Sequence, residues 1–482
     1  MSAMQRSLKR LTRPKTGVSK CQRHLVPASW LLRGGLAAAA LGVAGLGQIP
    51  TASAVPSYAR QTGQPCATCH TAFPELTPYG RQFKLMGYTS GGNRCDDGRA
   101  KSDETQVPLS VMNFPAIFTH VNSKNAVPNQ VNDSTAMGQS SLFVAGQLYC
   151  DVGAFAQITY DGPGGGFGWD NMDFRYAKSG VIAGTSVVYG VTVNNNPSVQ
   201  DAWNTAPAWS YPYIGSPTAA GPSASNQPMI FGKWGGQVGS MGGYLWIDRS
   251  IYVELSAYGD LPARLQTNWA QTAVGNDRFA NAAPYWRLAY EKTWDKNSLM
   301  FGTFGMFANI QPNLTPLTPD TPTIDLAAGT DPTLDFGFDT QYQWISDMHA
   351  VTLKGSYVWE RRKNNASVAA GLADNTINEL SQINLSGAYV YDRTYSLSAG
   401  YFNTWGTNDL TAFGGSPNSN GWTVDLAYLP FSKGGPAAWP WFNARIGLLY
   451  THFDKLDGVD NSIPGAKASN NDSVAIYSWI NF

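Results

Sequence analysis

After its first 54 residues the chain contains no long apolar run, which excludes helical membrane spans. Charge is scarce: Asp, Glu, Lys and Arg together make up 14% of the sequence, against roughly 25% in soluble domains. Cysteine and histidine number only five each. There is no basic excess either. The whole chain balances 33 basic against 33 acidic residues, and without the eight basic residues of its first 54 it carries 25 against 33, a net of −8. A nucleic-acid-binding reading therefore has no electrostatic footprint. What is abundant is aromatic side chains, at 12%, and glycine, with 50 residues. Few charges, many aromatics and only short apolar stretches suit a transmembrane β-barrel, where alternate residues alone meet lipid.

Residues 1–54 read as a cleaved export signal. Arg6, Lys9, Arg10, Arg13, Lys15, Lys20, Arg23 and Arg33 form a basic start with no acidic residue. Leu36 to Gly47 is an apolar stretch too short and too Gly/Ala-rich to span a bilayer. Ala52-Ser53-Ala54 supplies an A-x-A cleavage site, so the mature chain is expected to begin at Val55.

From Val107 to Phe482 one theme repeats: about ten residues of alternating hydrophobicity, then turn residues. Val351, Leu353, Tyr357 and Trp359 alternate with Thr352, Lys354, Ser356 and Glu360. Ile251, Val253, Leu255 and Ala257 alternate with Tyr252, Glu254 and Ser256. Period two places each set on one face of a strand. Sixteen such segments are predicted, near 107–121, 140–149, 152–160, 169–177, 186–194, 237–247, 250–258, 284–294, 298–309, 334–345, 349–360, 379–391, 395–405, 420–429, 441–453 and 473–482. Connections after the even-numbered segments are brief, as at Cys150-Asp151, Asp248-Arg249 and Asp392-Arg393. Those after odd-numbered segments are mostly longer, the longest covering 195–236. Short turns on one side and long loops on the other are the organisation of an outer-membrane barrel, and the last segment ends on the aromatic Phe482. A soluble β-sandwich or propeller would need polar outer faces, which the regular Val, Leu, Tyr and Trp face denies. Alternation sends Asp173, Arg175, Glu254, Arg287, Glu291, Lys354, Glu360, Asp425 and Arg445 into the lumen, where a wide barrel holds water or a polar plug.

Cys66-Ala67-Thr68-Cys69-His70 has the C-x-x-C-H spacing of a c-type haem attachment. Two thiols at that spacing reach one porphyrin edge, and the adjacent histidine reaches the iron as proximal ligand. The segment 55–104 is too short to build a core without such a staple. Thr77-Pro78 reads as an N-cap with proline at the first helical position. Tyr79, Phe83 and Met86 then share a helix face able to cover a haem, and Gly87 ends the helix. For the distal ligand, Met86 is one candidate, although its plainer reading is a packing methionine. His120, near the outer end of the first strand, is the other. His349 and His452 read as rim residues. Cys95 and Cys150 remain as a pair, and an exported chain meets an oxidising compartment, so a disulfide between them is expected. The loop carboxylates Asp331, Asp374, Asp454, Asp457, Asp460 and Asp472 read as solvated. The third-position spacing of Asp454, Asp457 and Asp460 is not that of a calcium loop.

The stretch from Ala54-Val55-Pro56-Ser57-Tyr58-Ala59-Arg60-Gln61-Thr62-Gly63 through Cys66-Ala67-Thr68-Cys69-His70 and Phe73-Pro74-Glu75-Leu76-Thr77-Pro78-Tyr79-Gly80-Arg81-Gln82-Phe83-Lys84 to Gly87-Tyr88 resembles the fused cytochrome–porin family. These are the outer-membrane Fe(II) oxidases of iron-oxidising bacteria. The resemblance implies one covalent haem c in a small cytochrome segment, 55–104, joined to a barrel, 105–482. It further implies oxidation of Fe(II) at the cell surface, with electrons passed to a periplasmic carrier, a rusticyanin-like blue-copper protein or a c-type cytochrome. The same residues leave other readings open: a diffusion porin with an N-terminal appendage, a sheath for a separate multihaem cytochrome, or electron export to an external acceptor. Because one haem must serve two aqueous sides, the expected arrangement is a cytochrome plug inside the barrel with its haem near membrane depth.

Overall fold

The computed structural model describes residues 55–92, 95–96, 99–100, 107–122, 133–162, 165–232, 234–235, 237–266, 277–312, 329–435, 440–464 and 466–482. They belong to one compact unit, Ile49–Phe482. The expected export signal lies outside the described residues, as does part of the expected 55–104 segment beyond residue 92.

Sixteen antiparallel strands close into a barrel. The first half comprises β1 (Leu109–Asn113, continuing as Ile117–Val121), β2 (Ser134–Ala136, continuing as Gln139–Tyr149), β3 (Val152–Asp161) and β4 (Gly166–Ile182). It continues with β5 (Thr185–Asn194), β6 (Val238–Ile247), β7 (Ile251–Asp260) and β8 (Arg278–Phe279, continuing as Ala283–Trp294). The second half comprises β9 (Asn297–Gln311), β10 (Asp331–Ile345), β11 (His349–Lys363), β12 (Ile377–Tyr391), β13 (Tyr395–Gly406), β14 (Ser419–Tyr428), β15 (Asn443–Leu456) and β16 (Ser473–Asn481). The ring closes where β16 pairs with β1, Ser473 opposite Val121 and Ile480 opposite Asn113. Closure leaves no edge, so every strand's backbone can be paired in lipid, the condition for spanning a membrane with strands.

Each predicted strand overlaps one of these sixteen, with ends that differ by a few residues: the segment predicted at 441–453 is Asn443–Leu456, and that at 169–177 is Gly166–Ile182. Alternation holds on both faces. Leu255 (68% exposed), Leu353, Leu385 and Leu426 point outward, while Asp173, Arg175, Glu254 and Arg287 are buried in the lumen. An exposed apolar band over a polar interior is an outer-membrane barrel's surface, and the protein is an outer-membrane β-barrel. The hairpins Asp248-Arg249 and Asp392-Arg393 take left-handed backbone, φ between 49° and 55°, which tight hairpins favour because it matches strand twist.

Two segments fill the lumen. From the short-turn end come three helices: α1 (Pro56–Thr62), α2 (Cys66–Cys69) and α3 (Pro78–Leu85). From the long-loop end the β5–β6 connection folds inward, burying Val199, Ala202, Trp203 and Ile230. The wall grips both. Arg287 bridges Asp339 on β10 and Asp201 of the loop. The Met229 and Ile230 N–H groups donate to Glu360 (2.5 Å) and Asp335 (2.7 Å).

Candidate functional site

The helix α2 is a single turn. Pro65 precedes it, and the His70 N–H closes it on the Cys66 carbonyl at 2.8 Å. That turn brings both cysteines to one side of the chain. It docks at the short-turn rim: Ala67 N–H donates to the Ser432 carbonyl (3.0 Å), and Asn443 Nδ2 donates to Cys66 Sγ (3.0 Å). The expected motif is therefore inside the barrel but at its short-turn end, not midway through it. The physical reason is the anchoring of the helix before it: α1 is tied to the wall by Ser57 N–H on Ser110 Oγ (2.9 Å) and Tyr58 OH on the Ala154 carbonyl (2.9 Å), and only Gly63, Gln64 and Pro65 separate it from α2.

The expected helix at Thr77-Pro78 forms. Thr77 Oγ1 accepts from Gly80 N–H (3.2 Å) and donates to the Thr68 carbonyl (2.6 Å), so the N-cap also ties α3 to α2. A Cβ on Gly80 would stand 2.2 Å from the Cys69 carbonyl oxygen, so only glycine permits this helix contact. The expected haem-covering face is different. Tyr79 is exposed, and Met86, past the last helical residue, packs into the cluster around Leu85, Ala202, Trp203 and Tyr244. Phe83 alone of the three borders the cavity described below. The buried positions between them are charged because the surrounding lumen is polar. Arg81 pairs with Glu291 and donates to Gln341 (3.0 Å), Gln343 (2.7 Å) and Ser298 (2.8 Å). Lys84 Nζ donates to the Val199 and Asp201 carbonyls at 2.7 Å each.

Between α1–α3, strands β1–β4 and the inward loop lies a cavity of about 350 Å³, within the size range of cofactor pockets. Cys69 and His70 form one end; Phe83, Phe114, Phe143, Phe155, Trp209 and Trp479 supply much of its wall. Phe73 and Phe114 both pack on Trp479, with ring centroids 4.8 and 4.9 Å apart. Loop residues 207–214 separate it from a second, more polar cavity of about 330 Å³ lined by Gln382, Asn384 and Thr423.

The residues present fit a covalent haem. Cys66 and Cys69 are buried and neither is tied up in a disulfide. Burial pushes the Cys69 thiol up to about 12, keeping it protonated. Burial lowers His70 to about 4, so its imidazole is neutral and keeps a lone pair for a metal. His70 Nδ1 is buried without a hydrogen-bond partner, a cost that a bound group would explain. The two distal candidates are elsewhere. Met86 does not border the cavity, and His120 is about half exposed, paired with Asp133 at 2.7 Å. Cys150 is disulfide-bonded; the side chain of Cys95 lies outside the described residues.

His349 meets the Tyr389 hydroxyl at 2.7 Å, and His452 sits between Asp472 (2.7 Å) and Asp454 (3.3 Å). Among the described residues no group of three or more His, Cys, Asp or Glu side chains is placed to hold a metal ion. The loop carboxylates expected to be solvated are in several cases structural. Asp331 is fully buried and accepts from the Ala366 and Ser367 N–H groups, while Asp374 accepts from the Leu410 and Thr411 N–H groups of the neighbouring loop. Unsatisfied backbone donors at these short helix starts recruit the nearest carboxylate.

Sequence reasoning missed Asn443, Trp479, Met112 and the triad of Glu75, Lys354 and Tyr213. In that triad Lys354 lies 2.9 Å from Glu75, and the Tyr213 hydroxyl donates to the same carboxylate at 3.1 Å. Lumen-facing alternation named Lys354, but nothing local pairs it with residues 279 and 141 positions away.

No protein-family model and no curated protein matches the chain. Among solved structures, it is similar to the loop L8 deletion mutant of OmpT, an outer membrane protein of Vibrio cholerae, at 11% identity, covering 78% of this chain and 99% of that one, with a TM-score of 0.42. It is similar to Salmonella typhi OmpF in complex with daunomycin, at 15% identity over 78% and 97% of the two chains, TM-score 0.43. Pseudomonas putida OprB matches at 11% identity over 78% and 93%, TM-score 0.43.

Proposed function

We propose that this chain is an outer-membrane c-type cytochrome that takes electrons from extracellular Fe(II) and delivers them to a periplasmic carrier. The observation that carries the proposal is a C-x-x-C-H turn whose two cysteines form no disulfide and whose histidine lines an aromatic cavity inside a barrel. When bound, a haem c supplies one-electron redox chemistry. Cys66 and Cys69 would hold it by thioethers, and His70 would ligate its iron. Asn443 fixes Cys66 at the rim, and Phe73 and Phe114, packed on Trp479, give the cavity an aromatic wall. The short-turn position of α2 favours electron delivery on the side of those turns, to a rusticyanin-like blue-copper protein or a c-type cytochrome. Fe(II) as donor rests on the sequence resemblance. Brief outer-sphere contact with a hydrated ion would suffice, without a dedicated iron site.

A second reading is a porin, favoured by the closed sixteen-stranded barrel and the polar cavity beside Gln382 and Asn384. Anaerobic mixing of the purified protein with Fe(II), watched at the haem Soret and α bands, separates the two. Rapid reduction at the working pH supports the conduit. A protein without a haem band that conducts ions in a planar bilayer is a porin.

A further inference from the structure

We infer that Met112, on the barrel wall, is the distal ligand of the haem iron. The inference rests on the haem reading above and completes it, since that reading assigns only the proximal side. Haem iron in proteins takes imidazole, thioether, thiolate or phenolate ligands, and a lysine amine can serve the same way. The described residues lining the cavity offer few such atoms beyond Cys69 and His70.

Most of the alternatives are already engaged. The Tyr58 hydroxyl donates to the Ala154 carbonyl at 2.9 Å. The Tyr88 hydroxyl donates to Asp173 at 2.6 Å. The Tyr213 hydroxyl is held between Glu75 and Lys354. Lys84 Nζ is committed to two backbone carbonyls at 2.7 Å. To ligate iron, each would have to leave a buried polar partner unsatisfied, which costs about 1–3 kcal/mol per group.

Met112 gives up nothing. Its thioether lies on the inward face of β1, two residues from Ser110, whose hydroxyl anchors α1. It is 5% exposed and packs with Tyr58, Phe83, Phe114 and Phe143, the apolar part of the cavity wall. Lumen-facing positions of this barrel are elsewhere rich in charged and amide side chains, and a soft thioether suits iron. A ligand from β1 together with His70, just past α2, would hold the cofactor between wall and plug. Methionine–histidine ligation also raises the reduction potential, the direction an Fe(II) donor requires.

Methionine and leucine fill nearly the same volume and exchange at small packing cost. Met112→Leu therefore removes the ligand and keeps the packing. The purified holoprotein is read by its ferric near-infrared sulfur-to-iron band, by CO binding to the reduced form and by redox titration. In the wild type the band is expected to be present and CO to bind slowly. Met112→Leu is expected to lose the band, bind CO rapidly and fall in potential, while Met86→Leu and His120→Ala keep the wild-type spectrum. Met112→His, a second variant independent of the leucine one, is expected to give a low-spin bis-histidine spectrum. A Met112→Leu protein that retains the band, or a wild type without it, overturns the assignment. Denatured wild type carrying no covalent haem overturns instead the reading on which it rests.

Discussion

Residues 55–92 and the β5–β6 connection occupy the same lumen, but the wall holds them with different shares of charged and neutral contacts. The N-terminal segment brings its own cations: Arg81 reaches Glu291, Gln341, Gln343 and Ser298. The inward loop brings one charge, Asp201 on Arg287 (3.1 Å), and otherwise mainly neutral donors. Trp203 Nε1 donates to Glu291 (2.9 Å), Thr205 donates to Asp339, and the backbone of Met229 and Ile230 caps two wall carboxylates. Glu291 serves both. One set of lumen carboxylates thus seats two unrelated segments. The charged attachment is the one that fails hardest when broken, because it strands an ion.

The largest effect is expected from Arg81→Ala. Removing one partner of a buried pair costs about 3–5 kcal/mol. The outcome should be a lower heat-modifiability transition and a rise in planar-bilayer conductance as α3 loosens. Next is Trp203→Phe, which deletes one hydrogen bond to a charged group, worth about 1.5–3 kcal/mol. Limited proteolysis should then cut within the inward loop while the N-terminal segment stays protected. Equal loosening of both segments would mean that the two attachments are not separable.

Gly80→Ala probes the plug alone. Its Cβ would collide with the Cys69 carbonyl at 2.2 Å, and overpacking of this kind costs about 1–3 kcal/mol. Covalent haem content should drop, measured as the pyridine haemochrome, with barrel stability unchanged.

The smallest effect lies at the long loops. Burial raises the Asp409 carboxyl, but N–H donors from Ala412, Asn378, Asn375 and Asp374 outweigh it and hold the group at about 2. Because that lies below its ordinary value, the carboxylate's stabilisation is complete above pH ~4 and fades as pH falls through about 2. Asp409→Asn should abolish that acid dependence of loop protection, with no change in either lumen segment.

The wall was readable because period-two alternation is local and each side chain's face follows from its position. The Leu353/Lys354 alternation and the Asp248-Arg249 and Asp392-Arg393 hairpins needed no long-range information. The spacing of the motif was readable for the same reason: Cys66, Cys69 and His70 are neighbours. The cavity was not. Met86 shares a helical period with Phe83, yet α3 stops at Leu85 and sends it into a wall cluster. Met112 carries no motif at all. It reaches the cavity only because β1 closes the ring against β16 and sets its inward face beside α1.

The sequence by itself determined a sixteen-stranded barrel with an apolar exterior, a polar interior and a C-x-x-C-H turn. Those properties repeat over two to four residues, and a strand or a single helical turn reads them directly. Tertiary structure alone decided that the motif docks at the short-turn rim beside Asn443 and that Glu291 anchors both lumen segments. It also set Met112 beside the cavity that Cys69 and His70 line. Those contacts join residues far apart in the chain, 377 positions for Cys66 and Asn443 and 210 for Arg81 and Glu291, and barrel closure is what brings them within reach.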